Sequence, residues 1–372
     1  MAETSNPTSD RFASSTIDPR IGRPTIRVLG LGGGGSNAVN RMIELGVSGV
    51  DYIAANTDRQ ALASSLAPTR LQLGPRVTRG LGAGGDPKVG AAAAMESSRE
   101  LASMLRGSDM VFIAAGMGGG TGTGAAPVAA EIAREVGAIV TAVVTVPFTF
   151  EMSRRAKNAT EGIQLLRPHA HTLITVPNDR LLQIVPRDVS LEVAFRMADD
   201  ILRQGVQGVA ELVTRPGMIN VDFAHVRNMF MNGGGALMAI GLGEGEDKAE
   251  QAIYQALHHP LLEIDCLENA SGVLVHFTGG DDLTLYEVGD AVDRLRDSLT
   301  PDVELLLGAT TDSSFCGRAQ VILIVTGLGG HAVSQVDEAA VDMHLHVSGP
   351  TPSRANVDLD LPAFMRRRAV AG

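Results

Sequence analysis

Gly116-Met117-Gly118-Gly119-Gly120-Thr121-Gly122-Thr123-Gly124 is the stretch on which the fold turns. It follows an apolar run, Met110–Ala115, that reads as a buried strand, and it leads into a helical pattern over Ala125–Val136. Successive glycine N–H groups at a strand-to-helix turn form a concave anion site. Thr121 and Thr123 add hydroxyls beside the helix N-terminus. An earlier loop, Gly30-Leu31-Gly32-Gly33-Gly34-Gly35-Ser36-Asn37, repeats the device between strand Ile26–Leu31 and a helix over Asn37–Leu45. Taken alone, Gly30, Gly32 and Gly35 fit the dinucleotide pattern G-x-G-x-x-G, with Asp51 near the usual place of the ribose carboxylate. That reading is an NAD-dependent oxidoreductase. Two such loops in one sheet imply instead a longer phosphate chain gripped from two sides. The P-loop pattern G-x-x-x-x-G-K-[ST] does not occur, so backbone, helix dipoles and a metal ion would balance the phosphates.

Outward from these loops, strand and helix signals alternate. Val50–Ala55, Ile139–Val146 and Thr172–Val176 read as strands, Lys88–Arg106 and Ser153–Leu166 as helices. Alternation of this kind predicts an α/β fold, a parallel sheet with helices on both faces and ligands at the carboxyl ends of its strands. A long helix follows over Leu191–Val213, with Leu191, Ala194, Phe195, Ala198, Ile201, Leu202, Val209 and Leu212 at helical spacing. It stops before Arg215-Pro216-Gly217. Beyond it, strands Ala236–Ile240, Gly272–Thr278, Val303–Gly308 and Val321–Thr326 are spaced by helices Lys248–His258 and Leu285–Leu299. They predict a second α/β domain, joined to the first by the long helix.

Composition bounds the function. At 372 residues, 44% hydrophobic and 20% charged, the chain has the balance of a two-domain globular protein. Its 43 glycines cluster in loops, where backbone must approach something closely. A net charge of −11 argues against nucleic acid as a partner. Cys266 and Cys316 make neither a disulfide framework nor a zinc set, and both read as small buried hydrophobes in a reducing compartment. Met1–Arg20 is polar, without the apolar stretch of a signal peptide, and no apolar run is long enough to span a bilayer. These features predict a cytoplasmic protein with no direct membrane insertion.

The stretch Ala114–Pro127, which contains the second glycine loop, resembles the signature of the FtsZ family and, more loosely, of tubulin. Asn56-Thr57-Asp58, Gly80–Gly84, Pro177-Asn178-Asp179, Val213–Val226, Pro260–Glu263 and Gly272–Leu285 extend the similarity over nearly all of Thr25–Thr326. The resemblance implies a tubulin/FtsZ-like fold and a bacterial GTPase that polymerises head to tail into the division ring, using GTP/GDP and Mg2+. The expected organisation is a disordered tail (1–24), a GTP-binding domain (25–190), a central helix (191–214), an activation domain (215–327), a linker (328–356) and a partner-binding peptide (357–372). It further implies that Gly33, Gly34, Gly35, Ser36 and Asn37, with Gly119, Gly120, Thr121, Gly122 and Thr123, contact the phosphates. Glu151 and Arg155, one helical turn apart, would touch the ribose and a phosphate region. Asn178 and Asp199 would bond the guanine edge, and Phe195 would stack on the base.

In the family, the loop after the central helix reads N-x-D-x-x-D and serves the nucleotide of the next subunit. Asn220 and Asp222 match this pattern, but His225 stands where the last carboxylate is expected. Neutral imidazole accepts through one nitrogen and imidazolium through none. Slow hydrolysis is therefore expected, with Asp222 on the same helical face retaining part of the role, and a filament that holds GTP without hydrolysing it is the alternative. Gly85-Asp86 replaces the family's usual Ala-Asn, bringing negative charge near the expected phosphates, and Met152 stands where glycine is usual. Asp360-Leu361-Pro362-Ala363-Phe364-Met365-Arg366-Arg367 resembles the terminal peptide that binds membrane tethers, an apolar anchor followed by a basic cluster. The resemblance thus implies localisation at the division site.

Overall fold

A computed structural model describes residues 24–183, 189–214, 217–219, 221–262, 267 and 269–328. Its elements begin with β1 (Ile26–Leu31), α1 (Gly32–Glu44), β2 (Asp51–Asn56), the short α2 (Arg59–Ala63) and β3 (Thr69–Gln72). Next come α3 (Pro87–Glu96), α4 (Ser98–Leu105), β4 (Met110–Gly116), α5 (Thr121–Glu135) and β5 (Ile139–Val146). They are followed by α6 (Ser153–Leu166), β6 (Thr172–Pro177), α7 (Asn178–Leu181) and the long α8 (Leu191–Thr214). The remainder is α9 (Phe223–Met231), β7 (Gly234–Glu244), α10 (Lys248–Leu257), β8 (Gly272–Gly279), α11 (Leu285–Asp297), β9 (Glu304–Thr311) and β10 (Arg318–Thr326).

All ten strands form one sheet in the order β3-β2-β1-β4-β5-β6-β7-β10-β8-β9. From β3 to β7 every pairing is parallel; β10 runs antiparallel to both β7 and β8. The strands are buried on both faces, as parallel sheets between helices must be. Successive residues serve opposite layers. Val28, Phe112 and Val143 pack under α1 and α8, while Leu29, Ile113 and Val144 pack under α3 to α6. A third cluster, with Phe277, Val288 and Leu323, fills the space under α10 and α11.

Helix α8 is not the sole join between the halves. Strands β6 and β7 pair from Thr172↔Gly234 to Ile174↔Ala236, so the sheet itself continues across. The helix buries Ala198, Ile201, Leu202, Val206, Val209 and Leu212 against both sides. Its glycines explain how closely it lies. A Cβ on Gly205 would come 3.0 Å from Met238 Sδ of β7, and one on Gly208 equally near Ile322 of β10.

Three expectations about the elements need correction. The single helix over Lys88–Arg106 is two helices, broken at Ser97, whose Oγ accepts from the Gly74 N–H at 3.0 Å. Both glycine loops are themselves first turns of helices: α1 begins at Gly32 and α5 at Thr121, earlier than glycine's poor helix propensity suggests. Close packing decides this, since a Cβ on Gly35 would lie 2.2 Å from the Ala114 carbonyl oxygen. Cys316 is exposed and free rather than buried, on the turn before β10, and Cys266 lies outside the described residues.

Candidate functional site

The carboxyl ends of β1, β4, β5 and β6 open on a cleft of about 380 Å³, a size suited to a small-molecule ligand. Helices α1 and α5 both start at its floor. Neither has a side-chain N-cap or an acidic residue in its first turn. Their leading N–H groups and the positive ends of two helix dipoles are therefore available to an anion. The glycine turns interlock: a Cβ on Gly32 would lie 2.9 Å from Gly122 N, and one on Gly34 3.3 Å from Gly116 Cα. Gly33 and Gly119 are different. Neither has a positive φ, and a Cβ on either would meet nothing within 4 Å. No protein packing accounts for glycine there, whereas close approach of a ligand to the backbone does.

Around this floor the structure gathers Gly34, Asn37, Gly120, Thr121 and Gly122. Three expected residues do not line the cleft. Gly35 faces Ala114 of β4, and Ser36 is buried beneath the first turn of α1. Thr123 is buried, its Oγ1 accepting from the Gly118 N–H at 2.8 Å, so it shapes the loop from behind. Thr121 shares its hydroxyl with Thr57 Oγ1 at 2.6 Å. Gly116 and Met117 of the second glycine loop also line the cleft, as do Thr145, Pro147 and Ala198, which were not anticipated. The signal for Thr145 and Pro147 was the register of the strand ends, because Thr145 of β5 pairs with Gly116 of β4.

The far wall is built from α7 and the first turns of α8. Asn178 is buried, and its Oδ1 has no protein partner, an orphaned acceptor beside the cleft. Asp199 is pushed up to about 7 by burial and, second, by the charge of Asp200. The Phe195 ring meets Phe148 edge-on at 5.5 Å and keeps 37% of its surface exposed. Glu151 and Arg155 form an ion pair at the rim, and Glu151 Oε1 also accepts from the Phe148 N–H at 2.9 Å. Contrary to expectation, they do not share one helix. Glu151 ends a 3-10 turn, and Met152 (φ 78°, ψ 150°) breaks the chain before α6. Asp86 does not line the cleft; its carboxylate caps α3, accepting from the Lys88 N–H at 2.9 Å.

The loop after α8 lies elsewhere. Thr214 packs against Gly49, at the amino end of β2 and so at the end of the strands away from the glycine turns. From Asp199 to Thr214 the helix rises roughly 22 Å. Ile219 and Ala309 of β9 exchange backbone hydrogen bonds of 3.4 and 3.2 Å, which pins the loop to the sheet edge. Asp222 precedes α9 as its N-cap, accepting from the Ala224 N–H at 3.0 Å, and its backbone carbonyl accepts from the His225 N–H at 3.0 Å. Both are exposed. Asn220 lies outside the described residues, as do 360–367. Among the described residues, no group of three or more His, Cys, Asp or Glu could hold a metal, and no helix is long and apolar enough to cross a membrane.

Comparison with known proteins agrees with this architecture. Residues 25–186 match the tubulin/FtsZ family GTPase domain, and residues 234–329 match the FtsZ family C-terminal domain. An FtsZ dimer from M. jannaschii, described as empty, is 44% identical, with a TM-score of 0.80 over 82% of this chain and 89% of that one. A point mutant of FtsZ from M. jannaschii gives the same identity and TM-score over 83% and 92%. CetZ2 from Haloferax volcanii, solved as a GTPγS-bound protofilament, shares the fold at 22% identity, with a TM-score of 0.72 over 86% and 99%. With its GTPase-domain and C-terminal matches and this identity to FtsZ, the chain belongs to the tubulin/FtsZ family of GTP-binding, filament-forming cytoskeletal GTPases.

Proposed function

We propose that this chain is a cell-division FtsZ that binds GTP in the cleft, polymerises head to tail and hydrolyses GTP slowly between successive subunits. The observation that carries the reading is that the cleft lies at the carboxyl ends of the strands, whereas the loop after α8 starts beside the amino end of β2. A subunit whose loop lies so far from its own cleft can serve only the cleft of a neighbour. The same geometry repeated produces a filament rather than a closed pair.

In this reading the backbone N–H groups of Gly33, Gly34, Gly119 and Gly120 hold the phosphates, with Arg155 at the rim. Asn178 Oδ1 accepts from guanine, and ionised Asp199 accepts from the ring and exocyclic N–H groups that adenine lacks in that arrangement. Phe195 covers the base. Mg2+ would be held through the phosphates, since the cleft offers no carboxylate cluster, and would balance their charge. From the neighbouring subunit, Asn220 and Asp222 orient the attacking water. His225, in place of a carboxylate, contributes at most one acceptor and no negative charge. Residues Asp360–Arg367 dock on a membrane-tethering division protein, their apolar side chains entering a groove and their arginines flanking it.

Sedimentation with GTP, GDP or no nucleotide, with phosphate release followed in the same tube, tests this. Pelleting that requires GTP, with slow release that His225→Asp raises about tenfold or more, is the expected result. Pelleting without release in either chain would favour the GTP-bound structural filament, and pelleting indifferent to nucleotide would sink the proposal.

A further inference from the structure

Asp200, next to the base-reading Asp199, has no place in the site as described so far. Its carboxylate is held from three directions. Oδ1 accepts from Arg203 Nε at 2.7 Å, and Oδ2 accepts from Arg203 at 3.2 Å and from Gln204 Nε2 at 2.6 Å. Arg41 of α1 approaches Oδ1 at 3.9 Å. Gln204 in turn accepts through Oε1 from Gln320 of β10 at 2.8 Å. One side chain therefore links the helix that begins at the phosphate floor, the helix that carries the base wall, and the sheet of the second half.

We propose that Asp200 is a positioning residue of the nucleotide site: it ties the base wall on α8 to α1, and its charge beside Asp199 sets how strongly that wall accepts from guanine. This rests on the GTP-binding reading above and specifies how the same site is regulated. The other charges on the elements around Asp199 have partners: on α7, Asp179 accepts from the Thr149 N–H at 2.9 Å and Arg180 donates to the Pro260 carbonyl at 2.9 Å. Glu151 pairs with Arg155 on the rim, Glu44 with Arg41 at 3.5 Å on α1, and Glu192 with Arg196 at 2.8 Å on the first turn of α8. Asp200, although paired with Arg203, is adjacent to Asp199 in the chain, and its charge is the one that raises Asp199 beyond the effect of burial. Burial alone would push Asp200 up, but the bonds from Arg203 and Gln204 and the charge of Arg41 hold it below the ordinary carboxylate range. Kept ionised, it favours a proton on Asp199. Protonation of Asp199 turns one of its two acceptor oxygens into a donor and removes the charge, so it no longer matches the pair of guanine N–H groups; nucleotide affinity therefore rises with pH through about 7 and then levels off. Below that point it falls by up to about tenfold per pH unit.

The test is GDP affinity of the full chain, by calorimetry from pH 6 to 8.5, for wild type, Asp200→Asn and Arg41→Gln. Comparing variant with wild type at each pH cancels the titration of the GDP phosphate itself. In Asp200→Asn the midpoint moves down, though burial, the larger cause, keeps it above an ordinary carboxylate. At pH 6 this variant binds GDP roughly three- to tenfold tighter than wild type. At pH 8.5 it binds more weakly, because the tie to Arg41 is gone. Such a crossing of the profiles is not produced by a residue that only supports the fold. Arg41→Gln, a change at a half-exposed side chain, leaves Asp200 less neutralised and moves the midpoint up. Parallel profiles, or a midpoint that moves in neither variant, would overturn this inference and leave GTP binding standing. No GDP binding by wild type at any pH would overturn both.

Discussion

At the scale of single residues, the site contains one position under local strain. Met152 holds φ 78° and ψ 150°, a region that in practice only glycine enters without cost. Its side chain is 77% exposed, so little packing offsets that cost. Met152→Gly is expected to stabilise the fold by about 1 kcal/mol, the relief of strain outweighing glycine's greater freedom in the unfolded chain. The thermal midpoint should rise by roughly 1–2 °C; an unchanged or lower midpoint would contradict this account. The replacement of the family's glycine by methionine was visible in the sequence, but its consequence was not, because φ and ψ are not written there. Asp86 shows the reverse. Its charge read as a burden on the phosphates, yet its carboxylate is used at the N-terminus of α3.

At the scale of elements, the glycine turns divide into two kinds that the sequence presents as one run. Gly35 is required by the fold, since its Cβ would overlap the Ala114 carbonyl oxygen at 2.2 Å. Gly33 and Gly119 face open space. Gly35→Ala should therefore lower thermal stability in nucleotide-free protein. Gly33→Ala and Gly119→Ala should leave that stability within about 1 kcal/mol of wild type while weakening GDP binding tenfold or more. Denaturation and calorimetry on the same samples separate the outcomes, and loss of stability in all three variants would refute the distinction. Residues of the floor were legible because strand, turn and helix follow one another along the chain. Thr145, Pro147 and Ala198 were not, because they reach the cleft only through strand register and the seating of α8.

At the scale of the whole molecule, the cleft lies at the carboxyl ends of the parallel strands and the loop after α8 starts beside the amino end of β2. A filament with this geometry carries a testable asymmetry. Gly119→Ala impairs a subunit's cleft, while Asp222→Asn impairs only its loop and retains a side chain able to cap α9. Mixed in equal amounts, the two variants should release phosphate faster than either alone, since an intact cleft can then meet an intact loop. A rate equal to the average of the separate proteins would argue against catalysis between subunits.

By itself the sequence determined the strand–glycine–helix order, the absence of a P-loop lysine, the resemblance that names the family and the histidine in the loop after α8. Each of these is local, set by neighbours along the chain. Only the tertiary structure decided which glycines face the ligand, that the two halves share a sheet through β6 and β7, and that Asp200 bridges α1, α8 and, through Gln204, β10. Those outcomes depend on packing and register between segments far apart in the chain, where close approach and burial, rather than residue type, set what each side chain can do.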